Sequence, residues 1–254
     1  MDRPDMITSR GTVRLERSAK RVRVQLGGHV IADTTRAMLV WEKPYYPTYY
    51  IPLDDIDPTL LSPSGETRHS PSRGDANLFT VKVPGREAAD AAARYEDSPI
   101  TELRDLVRFD WDAMDAWYEE DEPVYIHPRD PHTRVDILAS SRYVRVELAG
   151  VTVADSPRPR LLFETGLPTR YYLPRTDVRM DLLEHSQTVT RCPYKGQTEH
   201  FAARIDSQLQ DVAWSYPIPL PESQKIAGLI AFYDERVDTF VDGARQDRPK
   251  TPFS

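Results

Sequence analysis

Cys192, the only cysteine in the chain, sits in the run Thr190-Arg191-Cys192-Pro193-Tyr194-Lys195-Gly196. Two cations beside an exposed thiol favour the thiolate, which is the nucleophilic form. The same run reads as a tight turn, in which Pro193 pre-sets φ, Gly196 tolerates positive φ and Cys192 packs as a small hydrophobe. A dyad with His200 as base would sharpen the nucleophilic reading. Strand alternation counts against it. If Cys192 pairs with Gln197 across the turn, His200 points to the opposite face, with Arg191 and Val189.

Around this turn stand the other groups that could make a site. Trp214 and Tyr216 alternate with Ser215, so they share one strand face, either as core or as an aromatic wall for a flat ligand. Arg170, Arg191 and Lys195 could meet an anion, with Tyr194 in the turn beside them. The stiff Pro217–Pro221 segment is a candidate rim. Glu222 just after it reads as a helix-start residue or a site acid. Glu42 and Glu164 fall at equal places in the repeat described below, as do Arg36 and Arg158, which suggests a buried Arg–Glu pair in each copy. The six histidines lack the spacing and the cysteine partners of a metal site, so no metal or other cofactor is expected.

The elements that must position these residues are written twice. A shift of 122 lays Val22-Arg23-Val24-Gln25-Leu26 on Val144-Arg145-Val146-Glu147-Leu148 and Tyr49-Tyr50 on Tyr171-Tyr172. With no gap, Asp55 meets Asp177, Pro71 meets Pro193, and Gly74 meets Gly196. Such a match means a duplicated domain of about 105 residues per copy. The expected boundaries are 11–127 for a diverged first copy, 128–243 for the second, and 244–254 for a flexible tail. Copy one is a natural control for the turn. There the positions read His69-Ser70-Pro71-Ser72-Arg73-Gly74, so the turn residues and one cation persist while thiol and tyrosine are absent.

Within each copy the signals are mostly β. Val22, Val24 and Leu26 alternate with polar residues, and Gly27-Gly28 (Ala149-Gly150) closes a hairpin. Further strands are expected at 38–41, 49–51 and 78–83, and at 161–163, 171–173 and 200–205. A third set is expected in copy two at 213–216, 229–233 and 237–241. Helices are expected only in copy one, at 99–107 and 111–118, where Trp111, Met114 and Tyr118 recur at helical spacing.

The bulk numbers fit a soluble globular chain: 39% hydrophobic, 29% charged, and 22 prolines against 11 glycines. A net charge of −7 disfavours nucleic acid as a partner. A single cysteine suits a reducing compartment, and the N-terminus has no apolar h-region. No apolar run approaches the roughly 20 residues of a membrane helix. A cytoplasmic protein with no membrane partner is expected; its oligomeric state is open.

The turn at 190–196, with Ala213-Trp214-Ser215-Tyr216, Ile226-Ala227-Gly228 and Ala231-Phe232-Tyr233, resembles the signature of the domain of unknown function 427 family. Its tandem form also shows segments like Phe109-Asp110-Trp111-Asp112-Ala113-Met114 and His127-Pro128-Arg129-Asp130-Pro131. The resemblance implies a small β-rich domain, related to the β-tent group. Zinc sites of that group use paired Cys-x-x-Cys motifs, which one cysteine cannot supply. A nucleotidyltransferase-like label also comes with the resemblance, although the chain shows no Gly-rich phosphate loop or metal-binding carboxylate pair.

Two tandem β-rich domains with pseudo-twofold packing are therefore expected. A small-molecule pocket for an anionic or aromatic ligand is expected in the second copy, with Cys192 as nucleophile or lining residue. A non-catalytic interaction module is the other reading.

Overall fold

A computed structural model describes residues 5–8, 11–205 and 208–251. The chain divides into two compact units, Met1–Asp130 and Pro131–Ser254. Unit 1 holds β1 (Asp5–Thr8), β2 (Gly11–Arg17), β3 (Val22–Leu26), β4 (His29–Thr34), β5 (Met38–Lys43) and β6 (Tyr46–Pro52). It continues with β7 (Leu61–Ser70), β8 (Gly74–Val83), β9 (Arg86–Arg94), β10 (Leu106–Phe109), β11 (Ala116–Glu119) and β12 (Glu122–Val124). Unit 2 holds β13 (Val135–Ala139), β14 (Val144–Leu148), β15 (Val151–Ser156), β16 (Arg160–Glu164), β17 (Arg170–Leu173) and β18 (Glu184–Ser186). Its remaining strands are β19 (Arg191–Cys192), β20 (Gly196–Gln197), β21 (Glu199–Ile205), β22 (Gln208–Ser215), β23 (Ile230–Phe232), β24 (Asp238–Val241) and β25 (Ala244–Arg245).

The two units repeat one topology. Unit 1 has a large sheet ordered β1-β2-β5-β6-β10-β9-β8-β7 and a small one ordered β12-β11-β3-β4. Unit 2 has β13-β16-β17-β23-β22-β21-β18 and β15-β14-β24-β25, the same orders strand for strand apart from the extra β1, while β19 and β20 pair as a separate two-stranded ribbon where unit 1 continues β7 and β8. Even the irregularities recur. The β3–β4 hairpin shifts register between Val24 and Gln25, and β14–β15 does so between Val146 and Glu147. The hairpin turns also match, with positive φ at Gly27 and Gly28 and at Ala149 and Gly150. Ala149 accepts a left-handed conformation there at a cost of about 1–2 kcal/mol.

In each unit the large sheet is covered on both faces. One face packs on the small sheet around Val24, Trp41, Tyr49 and Phe109, or around Val146, Leu173, Phe201 and Phe232. The other face is closed by the segment leaving β9 or β22, which brings in Ile100 and Leu103, or Tyr216 and Ile226.

That cover segment corrects the helical expectation for 99–107. Ile100, Leu103 and Leu106 recur at intervals of three, which a single 3-10 turn over Thr101–Leu103 satisfies before β10 begins. Ile100 and Leu103 are fully buried and stabilise the cover by about 1.5–3 kcal/mol each. The expected helix at 111–118 is likewise a 3-10 turn, Trp111–Ala113, followed by β11. The two tryptophans stack at 4.6 Å, and the Trp117 indole N–H donates to the Trp111 carbonyl (3.2 Å). The acidic run 119–122 is the β11–β12 turn, with Glu120 at φ +51°.

Where a flexible tail was expected from residue 244, the chain forms β25. Beyond it, the Gln246 N–H donates to the Thr239 carbonyl, and the Thr251 hydroxyl donates to Glu235 (2.5 Å). Residues 252–254 of that expected tail lie outside the described residues.

Candidate functional site

One row of directly paired residues crosses the large sheet of unit 2: Tyr172, Ala231, Trp214 and His200 on β17, β23, β22 and β21. Strand alternation puts all four side chains on the face closed by the cover segment. There Trp214 and Tyr216, 8% and 5% exposed, pack with Leu162, Tyr172 and Ile226, and Cys192 joins from the turn. Trp214 meets Tyr172 edge-on at 6.3 Å and gives its indole N–H to the Tyr172 hydroxyl (3.1 Å), while Tyr233 lies 4.6 Å from its other side. Burial holds the Tyr172 and Tyr216 hydroxyls well above the ordinary tyrosine range, and nearby Glu164 and Cys192 add to it. Both therefore stay neutral and can act as hydrogen-bond donors, not as bases.

The cations expected to attract an anion are matched inside the protein. Arg170, 9% exposed, donates to Asp234 (3.0 Å) and to both oxygens of Glu235 (2.9 and 2.5 Å), with its guanidinium 5.6 Å over Trp214. Lys195 is buried against Glu164 at 2.5 Å. Arg191 is exposed, and its Nε reaches Gln197 Oε1 at 3.2 Å. Glu222 is exposed in the 3-10 segment Pro221–Ile226, and Tyr194 is half-buried in the turn, its carbonyl accepting from the Ser223 hydroxyl (3.1 Å).

The turn itself differs from expectation by one residue. Cys192 pairs with Gly196 and Arg191 with Gln197, so Thr190, Cys192, Thr198 and His200 share a face. The register argument against a Cys–His dyad therefore falls, but the dyad does not form. The two threonines lie between, and His200 Nε2 sits 2.9 Å from Thr198 Oγ1 and 3.1 Å from Thr190 Oγ1. Gly196, at φ +101°, lets the turn close, and the proline segment seals it through a Gly196–Pro219 bridge and a Leu220 N–H bond to the Lys195 carbonyl (3.0 Å).

The chain matches the family model described as domain of unknown function (DUF427) twice, over residues 14–120 and 136–243. It belongs to the DUF427 family. No curated protein matches the chain. The two matches of this DUF427 protein invite a comparison of its units at the equivalent place.

In unit 1, Arg108 takes the position of Ala231, Ala93 that of Trp214, and Leu78 that of His200. Where unit 2 has a large indole beside a small alanine, unit 1 has a small alanine beside a large arginine. Ser70 stands for Cys192 and Arg73 for Lys195. What persists is a half-buried carboxylate beside a cation and a tyrosine. Glu42 accepts from Tyr50 (2.7 Å) and Arg108 (3.0 Å) and pairs with Arg73. The buried Arg–Glu pairs expected of Arg36 and Arg158 are not these. Both arginines are exposed and pair with Asp55 and Asp177.

Glu164, Tyr172, Tyr233, Asp234 and Glu235 are the site residues that sequence reasoning missed. Glu164 and Tyr172 were visible as repeated positions. The adjacent acids Asp234-Glu235 were visible only as charge, because their partner is 64 residues away. Cavities of about 260 and 210 Å³ open away from Cys192 and Trp214. The first lies in unit 1 between Lys20, Glu119 and Arg129, and the second in unit 2 between Tyr171, Asp234 and Gln246. Among the described residues, no helix is long and apolar enough to cross a membrane, and no group of three or more His, Cys, Asp and Glu side chains is placed to hold a metal ion.

Proposed function

We propose that unit 2 binds a small, flat, uncharged or weakly polar ligand at the turn, with Cys192 as its reactive lining residue. The observation that carries this is the half-exposed thiol resting against an aromatic cluster whose tyrosine hydroxyls are neutral. Of an anionic and an aromatic ligand, the second is favoured, because Arg170 and Lys195 already hold carboxylates. In this reading Tyr194, Arg191 and Glu222 form the rim, while Trp214, Tyr216 and Lys195 form the floor. The asymmetry between units supports it too, since a serine serves the same turn in unit 1.

The test is selective labelling. N-phenylmaleimide and N-ethylmaleimide both add the thiol across their double bond. Their rate ratio at Cys192 should exceed the ratio for glutathione by roughly two- to tenfold, the worth of one aromatic contact. Tyr194→Ala should erase that excess without moving the melting temperature. A thiol that labels only after unfolding, or with the glutathione ratio, would sink the proposal. It would leave the second reading, a non-catalytic interaction module, which the deep burial of Trp214 and Tyr216 favours.

A further inference from the structure

Unit 1 carries a cleft that the Cys192 proposal does not use. It encloses about 260 Å³ and is lined by Lys20, Glu119, Glu120, Glu122, Val124 and Arg129. Its lining starts at the end of β11, where Glu119 is buried, 6% exposed, and accepts from the Tyr49 hydroxyl at 2.7 Å. Lys20 pairs with the same carboxylate from the partly exposed side. The floor is therefore charge-balanced. Glu120 and Glu122 stand exposed in the β11–β12 turn and make the rim acidic.

Arg129 is the second cation of the lining. It lies in the His127-Pro128-Arg129-Asp130 run, which is fastened on either side. His127 stacks on Tyr46 at 4.2 Å, and Asp130 accepts from the Trp41 indole N–H at 2.8 Å. Arg129 is thus placed at the cleft by its neighbours, and its charge also acts on the Tyr49 hydroxyl. Its Nε is closed off from solvent and meets no acceptor among the described residues. The side chain is half-buried and lines the cleft, so the outer edge of its guanidinium is what a ligand there would meet, and a carboxylate fits that fork best.

We infer that this cleft is a binding site for a small zwitterion, a carboxylate with a neighbouring ammonium such as a free α-amino acid. The carboxylate would meet Arg129, with Lys20 in support, and the ammonium would meet the acidic rim at Glu120 and Glu122. Size and charge choose against the alternatives. The cleft falls below the range for drug-sized ligands. Three carboxylates against two cations repel phosphate esters, whose several negative charges would face Glu120 and Glu122. A plain monocarboxylate would leave the rim unanswered, and a plain amine would leave Arg129 unanswered.

The experiment is calorimetric titration of the full chain with free L-amino acids from alanine to lysine. Propionate, isopropylamine and inorganic phosphate serve as matched probes. At least one amino acid should bind saturably, and propionate and isopropylamine should each bind at least about tenfold more weakly, because each lacks one charge-assisted contact. Arg129→Gln should weaken the amino acid by about tenfold or more, and Glu122→Gln, at an exposed position, should weaken it by less. Should Arg129→Gln lower the melting temperature, Lys20→Gln provides a second, partly exposed variant that must also weaken binding. The inference is overturned if no amino acid gives saturable heat at tens of millimolar. It is equally overturned if folded Arg129→Gln binds like the parent chain, or if phosphate binds more tightly than any amino acid.

Discussion

Replacing Arg170 by methionine removes the charge and keeps most of the volume. In the native chain its side chain is 10% exposed, against 13% for Asp234 and 2% for Glu235. The substitution therefore strands two carboxylates in a desolvated place. Breaking a buried pair by deleting one partner costs about 3–5 kcal/mol, and here two acids lose their cation, so the upper end applies. For a unit of this length that lowers the melting temperature by about 10–20 °C. Differential scanning calorimetry of the full chain is the assay, with the unit 1 transition as internal reference if the units melt separately.

The pH dependence sharpens the prediction. Burial pushes Glu235 up, but hydrogen bonds from Arg170 and Thr251 outweigh it and hold the carboxyl below the ordinary glutamate range. Its contribution is present above the unfolded value and is lost as pH falls through the depressed folded one. Burial also pushes Asp234 up, and there it prevails over Thr239 and Arg170. Its penalty grows as pH rises from the unfolded value through the raised folded one. In Arg170→Met both carboxyls lack their cation and both titrate high, so the variant should gain stability as pH falls from neutrality, where Glu235 in the parent pulls the other way. A loss under about 1 kcal/mol at neutral pH, the worth of an exposed pair, would refute the claim that this triad is desolvated and structural.

Two further outcomes follow from the same geometry. Ala93→Trp in unit 1 should cost about 1–3 kcal/mol by overpacking against Arg108, and adding Arg108→Ala should recover at least about 1 kcal/mol of coupling in a urea double-mutant cycle. Strict additivity would mean that the two positions do not share space. His200 is held below the ordinary histidine range, chiefly by burial and secondarily by Arg236, against the pull of Asp211. The protein should therefore lose stability as pH falls below the unfolded histidine value of about 6.5. His200→Leu, the residue unit 1 uses at Leu78, should flatten that part of the denaturation profile, and an unchanged profile would refute the assignment.

Much of the fold could be read in one dimension. A repeat at fixed offset is a property of the chain, and alternation over five residues, as in Val22–Leu26, specifies a half-buried strand wherever the strand goes. The expected helices failed because a spacing of three is shared by α-helix and 3-10 turn. What decided between them at Ile100, Leu103 and Leu106 was the sheet face waiting to be covered. The cluster was legible in some members more than in its arrangement: Trp214 and Tyr216 pack together with Cys192 against them, while Lys195 is turned to Glu164.

The sequence by itself determined the duplication, the β class and the turn made by Pro193 and Gly196, since each depends on neighbours along the chain. Only the tertiary structure decided what those residues face. Pairing Cys192 with Gly196 instead of Gln197 moved His200 to the thiol's side of the hairpin, because a slip of one residue exchanges the faces of a strand. Packing β17 beside β23 brought Arg170 to Asp234 and Glu235 and turned an expected ligand cation into the centre of a buried triad. Charge shows in a sequence, but whether a charge is already answered depends on strands that meet only in the folded sheet.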